Sequence, residues 1–162
     1  MKVRQRESTD LPVVEPFLAR NHSLRVARLG EMAHPLDHPA LVAETDDGTF
    51  AGLLTYVPDP EHGSCEILTL HAADRWRGAG SALIAAVERI AAEQGIGRLW
   101  LITTNDNVDA LRFYQRRGFR LAALNAGAVD ESRARLKPEI PAEGDYGIPI
   151  RDEIVLEKLI AR

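Results

Sequence analysis

The stretch that decides the fold is Arg75-Trp-Arg-Gly78-Ala-Gly80-Ser-Ala-Leu83, a basic, glycine-punctuated turn that follows an apolar run and opens into an amphipathic helix. Gly78 and Gly80 carry no side chains that would block close approach of a ligand to the main chain. Successive N–H groups of the first helical turn can therefore point at one anionic group, helped by the helix dipole and the flanking arginines. The turn predicts a phosphate cradle with a diphosphate-bearing cofactor as its ligand.

The spacing of the glycines argues against two common phosphate-binding patterns. The dinucleotide fingerprint G-x-G-x-x-G needs a third glycine where this chain has Leu83, and a P-loop needs a Gly-Lys-Ser/Thr ending that is absent. A glycine-rich connection between a strand and a helix, with no ligand, remains as the alternative interpretation.

A second patterned stretch, residues 107–119, reads Asn-Val-Asp-Ala-Leu-Arg-Phe-Tyr-Gln-Arg-Arg-Gly-Phe. Asp106 or Asn107 can cap the start of a helix, and Gly118 can take the left-handed conformation that ends it. The stretch therefore predicts a helix of about three turns. The side chains that share one face of this helix at the expected spacing are Ala110, Phe113 and Tyr114.

These two patterns resemble those of one family. The spacing Arg75-x-x-Gly78-x-Gly80 is similar to the pyrophosphate-binding signature of the GCN5-related N-acetyltransferase (GNAT) family, which binds acetyl-coenzyme A, and residues 107–119 resemble the second conserved helix of that family. The resemblance spans roughly residues 64–124. It implies an α/β fold of the GNAT type over residues 1–162 as a single domain. Its sheet would be mixed and mostly antiparallel, with a splayed parallel strand pair and helices on both faces.

The resemblance also implies where acetyl-CoA, the cosubstrate, would lie. In this family the pantetheine arm occupies the gap between the splayed strands, so backbone groups of residues 68–72 would line the arm. The N–H of Leu70 would lie near the acetyl carbonyl, and residues 75–81 would hold the pyrophosphate. The residues implied in cofactor binding are Leu68, Leu70, Ala72, Arg75, Arg77, Gly78, Ala79, Gly80, Ser81 and Asn107.

Direct acetyl transfer to a primary amine needs an unprotonated amine, stabilisation of an oxyanion and a proton for the leaving thiolate. Tyr114 matches the position whose phenol commonly protonates the sulfur in this family. Packing of Phe113 and Tyr114 against the sheet is the alternative. Asn107 matches a position that contacts the pantetheine arm, and its alternative role is a helix cap.

The general base is sought on the strand before the cradle. Side chains alternate along a strand, so Glu66 is expected to share a face with Leu68 and Leu70, beside the acetyl group. A carboxylate there could take the amine proton if its surroundings raise its pKa. A solvated strand glutamate is the alternative. His71 is expected on the opposite face and ranks below Glu66 as a base.

Composition agrees with one soluble domain. The 162 residues are 45% hydrophobic and 27% charged, with a formal net charge of −4 that argues against nucleic acid as the main partner. No segment reads as a signal peptide or a membrane span, which predicts a cytoplasmic protein without membrane partners. Cys65, the sole cysteine, excludes an intramolecular disulfide and is most simply a small buried hydrophobe. Exposed sheet edges and a long C-terminal segment favour a homodimer.

Periodicity and turn residues outline the remaining elements. Polar and apolar residues do not alternate in the stretch 98–104, which is mostly apolar. This predicts a strand covered on both faces, with Trp100 in the core. Residues 21–38 are expected to mix helix and loop, and residues 127–149 to form a long connector in which Arg133 has no role. The expected strands are residues 2–7, 40–43, 50–57, 64–70, 98–104, 119–124 and 153–160, and the expected helices run from about Asp10 to Arg20, Gly80 to Gln94 and Asn107 to Gly118.

The resemblance favours an acetyl-CoA-dependent N-acetyltransferase whose acceptor is a small-molecule or peptide amine. A GNAT-like domain that binds acyl-CoA without turnover, as a sensor or assembly subunit, is the alternative, and a nucleotide-binding regulatory domain is a third. No metal is expected, because prolines beside His34 and His38 make a regular helix there doubtful. Trp76 would cover the phosphates or lie on the surface.

Overall fold

The computed structural model describes residues 1–75 and 77–160. Its α-helices are α1 (Leu11–Arg20), α2 (Ala79–Glu93), α3 (Val108–Arg116) and α4 (Ala128–Arg135). Its strands are β1 (Lys2–Gln5), β2 (Val26–Arg28), β3 (Glu31–Ala33), β4 (Ala40–Glu44), β5 (Phe50–Asp59), β6 (Ser64–Ala72), β7 (Arg98–Thr104), β8 (Arg120–Asn125) and β9 (Glu153–Leu159).

Among the described residues, hydrogen bonding orders seven strands as β1-β4-β5-β6-β7-β9-β8, with one parallel pair, while β2 and β3 form a separate ribbon. The predicted mixed and mostly antiparallel α/β architecture is confirmed. The splaying of the parallel pair stays a prediction. No helix in this part of the chain combines the length and the apolar composition that a membrane crossing requires.

Contacts divide the chain into two compact units. The first comprises Met1–Arg25, His34–Leu99 and Ile160, and the second comprises Val26–Ala33 and Trp100–Leu159. The single domain over residues 1–162 stays a prediction.

The first unit carries four antiparallel strands, β1, β4, β5 and β6. Apolar side chains of α1 pack on the face of this sheet that includes Leu53. Gly52 precedes Leu53 on β5 and therefore faces the other way, where a Cβ would meet Leu83 of α2 at 3.3 Å. Helices thus cover both faces of the sheet in this unit, as expected from the resemblance.

A β-bulge interrupts the pairing of β5 with β6. Thr55 pairs with Thr69. Tyr56 pairs with Ile67, so Leu68 is an extra residue without a partner on β5. The alternation of side chains between the two faces of β6 therefore shifts by one position at Leu68.

The second unit contains the β2–β3 ribbon, α3, α4 and the antiparallel pair β8–β9. Its chain between β8 and β9 is fastened by side chains that bond to main-chain groups. Asp106 is 6% exposed, and its carboxylate accepts a hydrogen bond from the Asp145 N–H at 3.0 Å. The Arg133 guanidinium donates to the carbonyls of Ile140, Pro141 and Ile150 at 2.9, 2.8 and 2.8 Å.

Three predictions about these elements are wrong. Residues 21–38 include the β2–β3 ribbon instead of helix and loop alone, because consecutive left-handed residues, Leu29 and Gly30, close a tight turn between the strands. Residues 127–149 include α4. Arg133 of that helix has a structural role, because its guanidinium donates a hydrogen bond to the Ile150 carbonyl. In β7 the buried residues alternate, Leu99 and Leu101, so Trp100 is half-buried and the strand is fully covered on one face only.

Candidate functional site: the N-terminus of α2 and the end of β6

The predicted phosphate cradle is the start of α2. Gly78 is the N-cap of this helix and has φ of +88°, a left-handed conformation that favours glycine. Around the position that a Cβ would take at Gly78, no atom of the described residues other than its chain neighbours lies within 4 Å. The first helical hydrogen bond runs from the Ala82 N–H to the Gly78 carbonyl at 3.1 Å. The first N–H groups of the helix, from Ala79 onward, are the ones that a helix of this kind offers to an anion.

The side chains around this turn suit an anionic ligand. Within the part of the chain that the structure describes, the first turn of α2 has no acidic residue and no side-chain cap that would compete for its N–H groups. Arg75 and Arg77 are exposed, and Arg77 lies 3.9 Å from Asp74 in a loose, exposed ion pair. Such a pair contributes little to stability, so it leaves Arg77 able to turn towards a phosphate. Trp76 lies outside the described residues.

The sheet holds the cradle close to the end of β6 through Gly52, a residue that sequence reasoning missed. A Cβ at Gly52 would meet the carbonyl oxygen of His71 at 2.9 Å and the Cβ of Ala79 at 3.4 Å. Only glycine lets the first turn of α2 lie this close to β5 and β6. A glycine inside a strand pattern is the signal that could have indicated this close approach.

The bulge at Leu68 corrects the predicted faces of β6. Residues paired across antiparallel strands share a face, and Glu66 pairs with Val57 while His71 pairs with Leu53. Val57 and Leu53 are an even number of positions apart on β5, so their side chains point to the same face. Glu66 therefore lies on the same face as His71 and not on that of Leu70. The predicted sharing of a face by Glu66 and Leu70, and the opposite placement of His71, are therefore wrong.

Polar side chains occupy the face of β6 that bears Glu66 and His71. Glu66 is 4% exposed and Thr69 is 5% exposed, so the interpretation of Glu66 as a solvated strand glutamate is wrong. The Thr69 hydroxyl donates to the Thr55 hydroxyl at 2.8 Å. These groups lie on the sheet face that α1 covers, at the strand that leads into the cradle.

His71 lies on the same face and is held by Ser23, a partner that sequence reasoning did not identify. The Ser23 hydroxyl lies 2.8 Å from His71 Nε2 and donates its single proton to the Asn21 carbonyl at 3.0 Å. With Ser23 as the donor to Asn21, the tautomer that carries its proton on Nε2 completes both hydrogen bonds, and Nδ1 then keeps its lone pair. Burial lowers the pKa of His71 from 6.5 to about 4, so the imidazole is neutral near pH 7.

Cys65 does not behave as a nucleophile. It is 1% exposed, and burial, followed by the charge of Glu66, raises its pKa to about 12. The thiol is therefore protonated at neutral pH and acts as a small apolar side chain, in agreement with the sequence interpretation.

In the second unit, the structure confirms the packing interpretation of Tyr114, and its role as a proton donor stays a prediction. It is 7% exposed, and its ring meets Phe113 and Phe119 edge-on with centroids 5.2 and 5.3 Å away, so it packs in an aromatic cluster. Burial raises the pKa of the phenol above its ordinary value of 10. The hydroxyl stays protonated at neutral pH, which is the state that a proton donor needs.

Asn107 is the N-cap of α3. Its side-chain oxygen accepts the Ala110 N–H at 3.2 Å, which confirms the capping interpretation. The amide NH₂ is not consumed by this bond, so the cap and a contact with the pantetheine arm are compatible. Gly118, with φ of +92°, takes the left-handed conformation predicted after this helix. Among the described residues, no three His, Cys, Asp or Glu side chains come together as ligands for a metal ion.

A helix N-terminus opened by a left-handed glycine, next to a strand end of a mixed sheet, is a geometry that suits an anionic group such as a phosphate. The sequence profile described as "Acetyltransferase (GNAT) family" matches residues 6–119. The chain therefore belongs to the GNAT family of acetyltransferases.

Individual relatives agree with this membership. The chain is 46% identical to the uncharacterized protein YxbD of Bacillus subtilis over 113 residues, 70% of this chain and 69% of that protein. It is 29% identical to streptothricin acetyltransferase of Streptomyces lavendulae over 118 residues, 69% of this chain and 62% of that protein. A Bacillus subtilis acetyltransferase crystallised in complex with CoA has the same fold, with a TM-score of 0.71, 16% identity and 99% coverage of both chains.

Proposed function

We propose that this protein uses acetyl-CoA as its cosubstrate and transfers the acetyl group directly to a primary amine of a small molecule or a peptide. The observation that carries the proposal is the start of α2. Gly78 opens the helix in a left-handed conformation, no side chain of the described residues caps it, and two exposed arginines flank it. The residues present fit the diphosphate of coenzyme A, because amide N–H groups and arginines are the donors that phosphates prefer.

We propose the same cofactor contacts that the resemblance implies. Main-chain N–H groups of residues 77–81, with the Arg75 and Arg77 side chains, hold the pyrophosphate. The bulge at Leu68 supports a role for residues 68–72 along the pantetheine arm, since it interrupts the regular pairing of β6 with β5 at that point. Asn107 contributes its side-chain NH₂ to that arm while its oxygen caps α3.

For the proton transfers we propose Glu66 as the base and Tyr114 as the acid. Glu66 is a buried carboxylate on the strand that precedes the cradle, and a base there removes the proton from the attacking amine, directly or through water. Thiols are stronger acids than phenols, so full proton transfer from Tyr114 to a thiolate is uphill. Tyr114 therefore acts chiefly by donating a hydrogen bond as negative charge develops on the departing sulfur.

The experiment is a kinetic comparison of Tyr114→Phe and Glu66→Gln, with thiol release from acetyl-CoA measured over a panel of amines. Both variants should lower kcat by about 10²-fold, because each removes a group that acts on a proton in the transition state. The dissociation constant of acetyl-CoA should change less than about twofold, since neither group is needed to hold the pyrophosphate.

Tyr56→Phe is the matched control. Tyr56 is 4% exposed and accepts one hydrogen bond from Gln5 at 2.8 Å, so this variant also removes a buried phenol hydroxyl, outside the proposed machinery. It should keep its kcat. If wild-type protein binds acetyl-CoA but releases no thiol with any amine, the proposed acetyl-transfer activity is contradicted. That result would favour an acyl-CoA sensor or assembly subunit.

The homodimer, the cytoplasmic location and the lack of nucleic-acid and membrane partners stay predictions. The edge strand β8 bears on the first of these, since it exposes Leu121 and Leu124 by 54% and 63%. An unpaired edge with apolar side chains is a surface on which a second copy would pair.

A further inference from the structure

A cavity of about 360 Å³ lies within the second unit, apart from every residue assigned a role above. Its walls are the turn of the β2–β3 ribbon, one side of α4, and the facing ends of β8 and β9. A volume of this size accepts a small organic molecule. Apolar wall atoms come from Leu29, Ala128 and Leu136, and polar atoms come from Asn125, Ser132 and Glu153.

The wall of this cavity contains a buried carboxylate that the rest of the described chain leaves almost without partners. Glu153 is 2% exposed. Within residues 1–75 and 77–160, its carboxylate accepts one hydrogen bond, from the Leu29 N–H at 3.4 Å, and has no ion-pair partner. A hydrogen bond of that length is weak. Burial of a carboxylate is costly unless a cation or several donors compensate it, so a cation bound in this cavity would offset the cost of burying Glu153.

The other charged side chains of the wall cancel each other. Glu131 and Arg135 form an ion pair at 2.8 Å on the exposed side of α4, with side chains 65% and 69% exposed. The charge that remains in the wall is that of Glu153. A monovalent cation with an aliphatic body would therefore match both the carboxylate and the apolar wall atoms.

The turn that closes the cavity stores backbone strain. Leu29 has φ of +54°, a left-handed conformation that is costly for a leucine, and its side chain is 53% exposed. Asparagine or glycine would suit this turn better, and packing does not explain an exposed leucine there. A strained residue at the rim of a cavity is typical of a ligand contact.

We propose that this cavity binds an organic ammonium group, with the ammonium on Glu153 and the aliphatic body against Leu29 and Leu136. Neither acetyl-CoA binding nor acetyl transfer is needed for this binding. The site goes beyond the proposed function and can be tested without it.

The test is a ¹H–¹⁵N NMR titration of the full chain, without acetyl-CoA, with n-butylammonium chloride as the probe. The Leu29 amide donates to Glu153 and therefore reports directly on that carboxylate. Saturable shifts are expected at the amides of Leu29, Ala128 and Glu153. The neutral isostere n-butanol, and sodium chloride at equal ionic strength, should not produce them.

Two variants and one matched control make the result specific. Glu153→Gln keeps the shape of the side chain, removes its charge, and should weaken n-butylammonium binding at least about tenfold. Glu131→Gln removes a wall carboxylate that already has a partner and should leave the affinity within about twofold. Leu29→Gly removes the apolar contact at a position where glycine suits the backbone. This variant should therefore fold normally but bind n-butylammonium more weakly.

Equal shifts with n-butanol and n-butylammonium would overturn the proposal. So would unchanged affinity in both Glu153→Gln and Leu29→Gly, provided that their spectra remain those of folded protein. If acetyl-CoA fails to bind while n-butylammonium still does, the proposed function falls and this site stands.

Discussion

The described part of the cradle, residues 77–81, and the segment between β8 and β9, residues 126–152, are organised in opposite ways. The cradle takes its form from its own main chain, since Gly78 sets the turn and the N–H groups of the following helix provide the ligand donors. The segment takes its form from distant side chains, such as Asp106, which bonds to a main-chain group 39 residues away. The contrast teaches that a site made of main-chain groups can be interpreted from a short stretch, whereas a side-chain network cannot.

The same contrast predicts how each region fails when it is changed. A substitution in the side-chain network leaves a buried charge or a buried polar group without partners, so its cost appears in the stability of the fold. A substitution in the cradle removes space or main-chain donors at an exposed turn, so its cost appears in ligand binding.

The largest effect on stability is expected from Gly144→Ala. A Cβ at Gly144 would lie 2.1 Å from Oδ2 of Asp106, a carboxylate that Asp145 and Thr104 hold by hydrogen bonds. The carboxylate must move and lose those bonds, which should lower the free energy of unfolding by about 4 kcal/mol. Denaturant unfolding measures the change.

Gly95→Ala is the control for that experiment. Gly95 has φ of +74° and open space where a Cβ would go, so alanine there should cost only the strain of the left-handed conformation, about 1 kcal/mol. A cost for Gly144→Ala no larger than that of Gly95→Ala would show that the network around Asp106 is not what stabilises the segment.

The sequence predicted the parts of the fold that follow from local signals. The bounds of β7, the capping of α3 by Asn107 and the left-handed Gly118 agree with the prediction because periodicity, caps and glycine stops lie within each element. The start of α2 agrees for the same reason. The cradle was therefore available from residues 75–83 alone.

The parts that sequence reasoning missed depend on partners elsewhere in the chain. The bulge at Leu68 is a property of the register between two strands, and nothing within β6 marks it. Helix α4 buries only Val129 and Ser132, so it lacks the apolar stripe by which helices are recognised. The turn at Leu29 was missed because leucine is rare in the left-handed conformation. The first miss shifts a face of the candidate site, and the other two concern a helix and a turn that line the separate cavity of the second unit.

A smaller effect on stability is expected from the acid titration of His71. This residue depends both on its own strand, β6, and on a distant side chain, Ser23, which holds the ring. Its pKa is about 4 in the folded state and 6.5 in the unfolded state, so the unfolded chain binds more protons between these values. Stability is therefore full above pH 6.5 and falls as the pH drops to about 4. The ring is partly exposed, which limits the expected loss to about 2 kcal/mol.

His71→Gln should remove this loss, and His34→Gln, at an exposed histidine, should retain it. Free energies of unfolding measured at pH 7 and pH 4.5 give the comparison. Asp10 does not interfere, because Arg4 lowers the pKa of that carboxyl to about 2 and its contribution is lost only below pH 3.8. Equal pH dependence in wild type and His71→Gln would contradict the assignment of a neutral, half-buried imidazole.

The most direct test of the central claim is a calorimetric titration of folded protein with acetyl-CoA, for the wild type, Gly78→Ala and Gly95→Ala. Gly78 and Gly95 flank α2, both are left-handed, and both have open space around the missing Cβ, so alanine strains the backbone alike at the two positions. The wild type and Gly95→Ala should bind acetyl-CoA with similar affinity, and Gly78→Ala should bind it about tenfold more weakly, a difference of about 1.4 kcal/mol. Folded wild-type protein that takes up no acetyl-CoA, or equal affinities in all three proteins, would contradict the assignment of the α2 N-terminus as the diphosphate site.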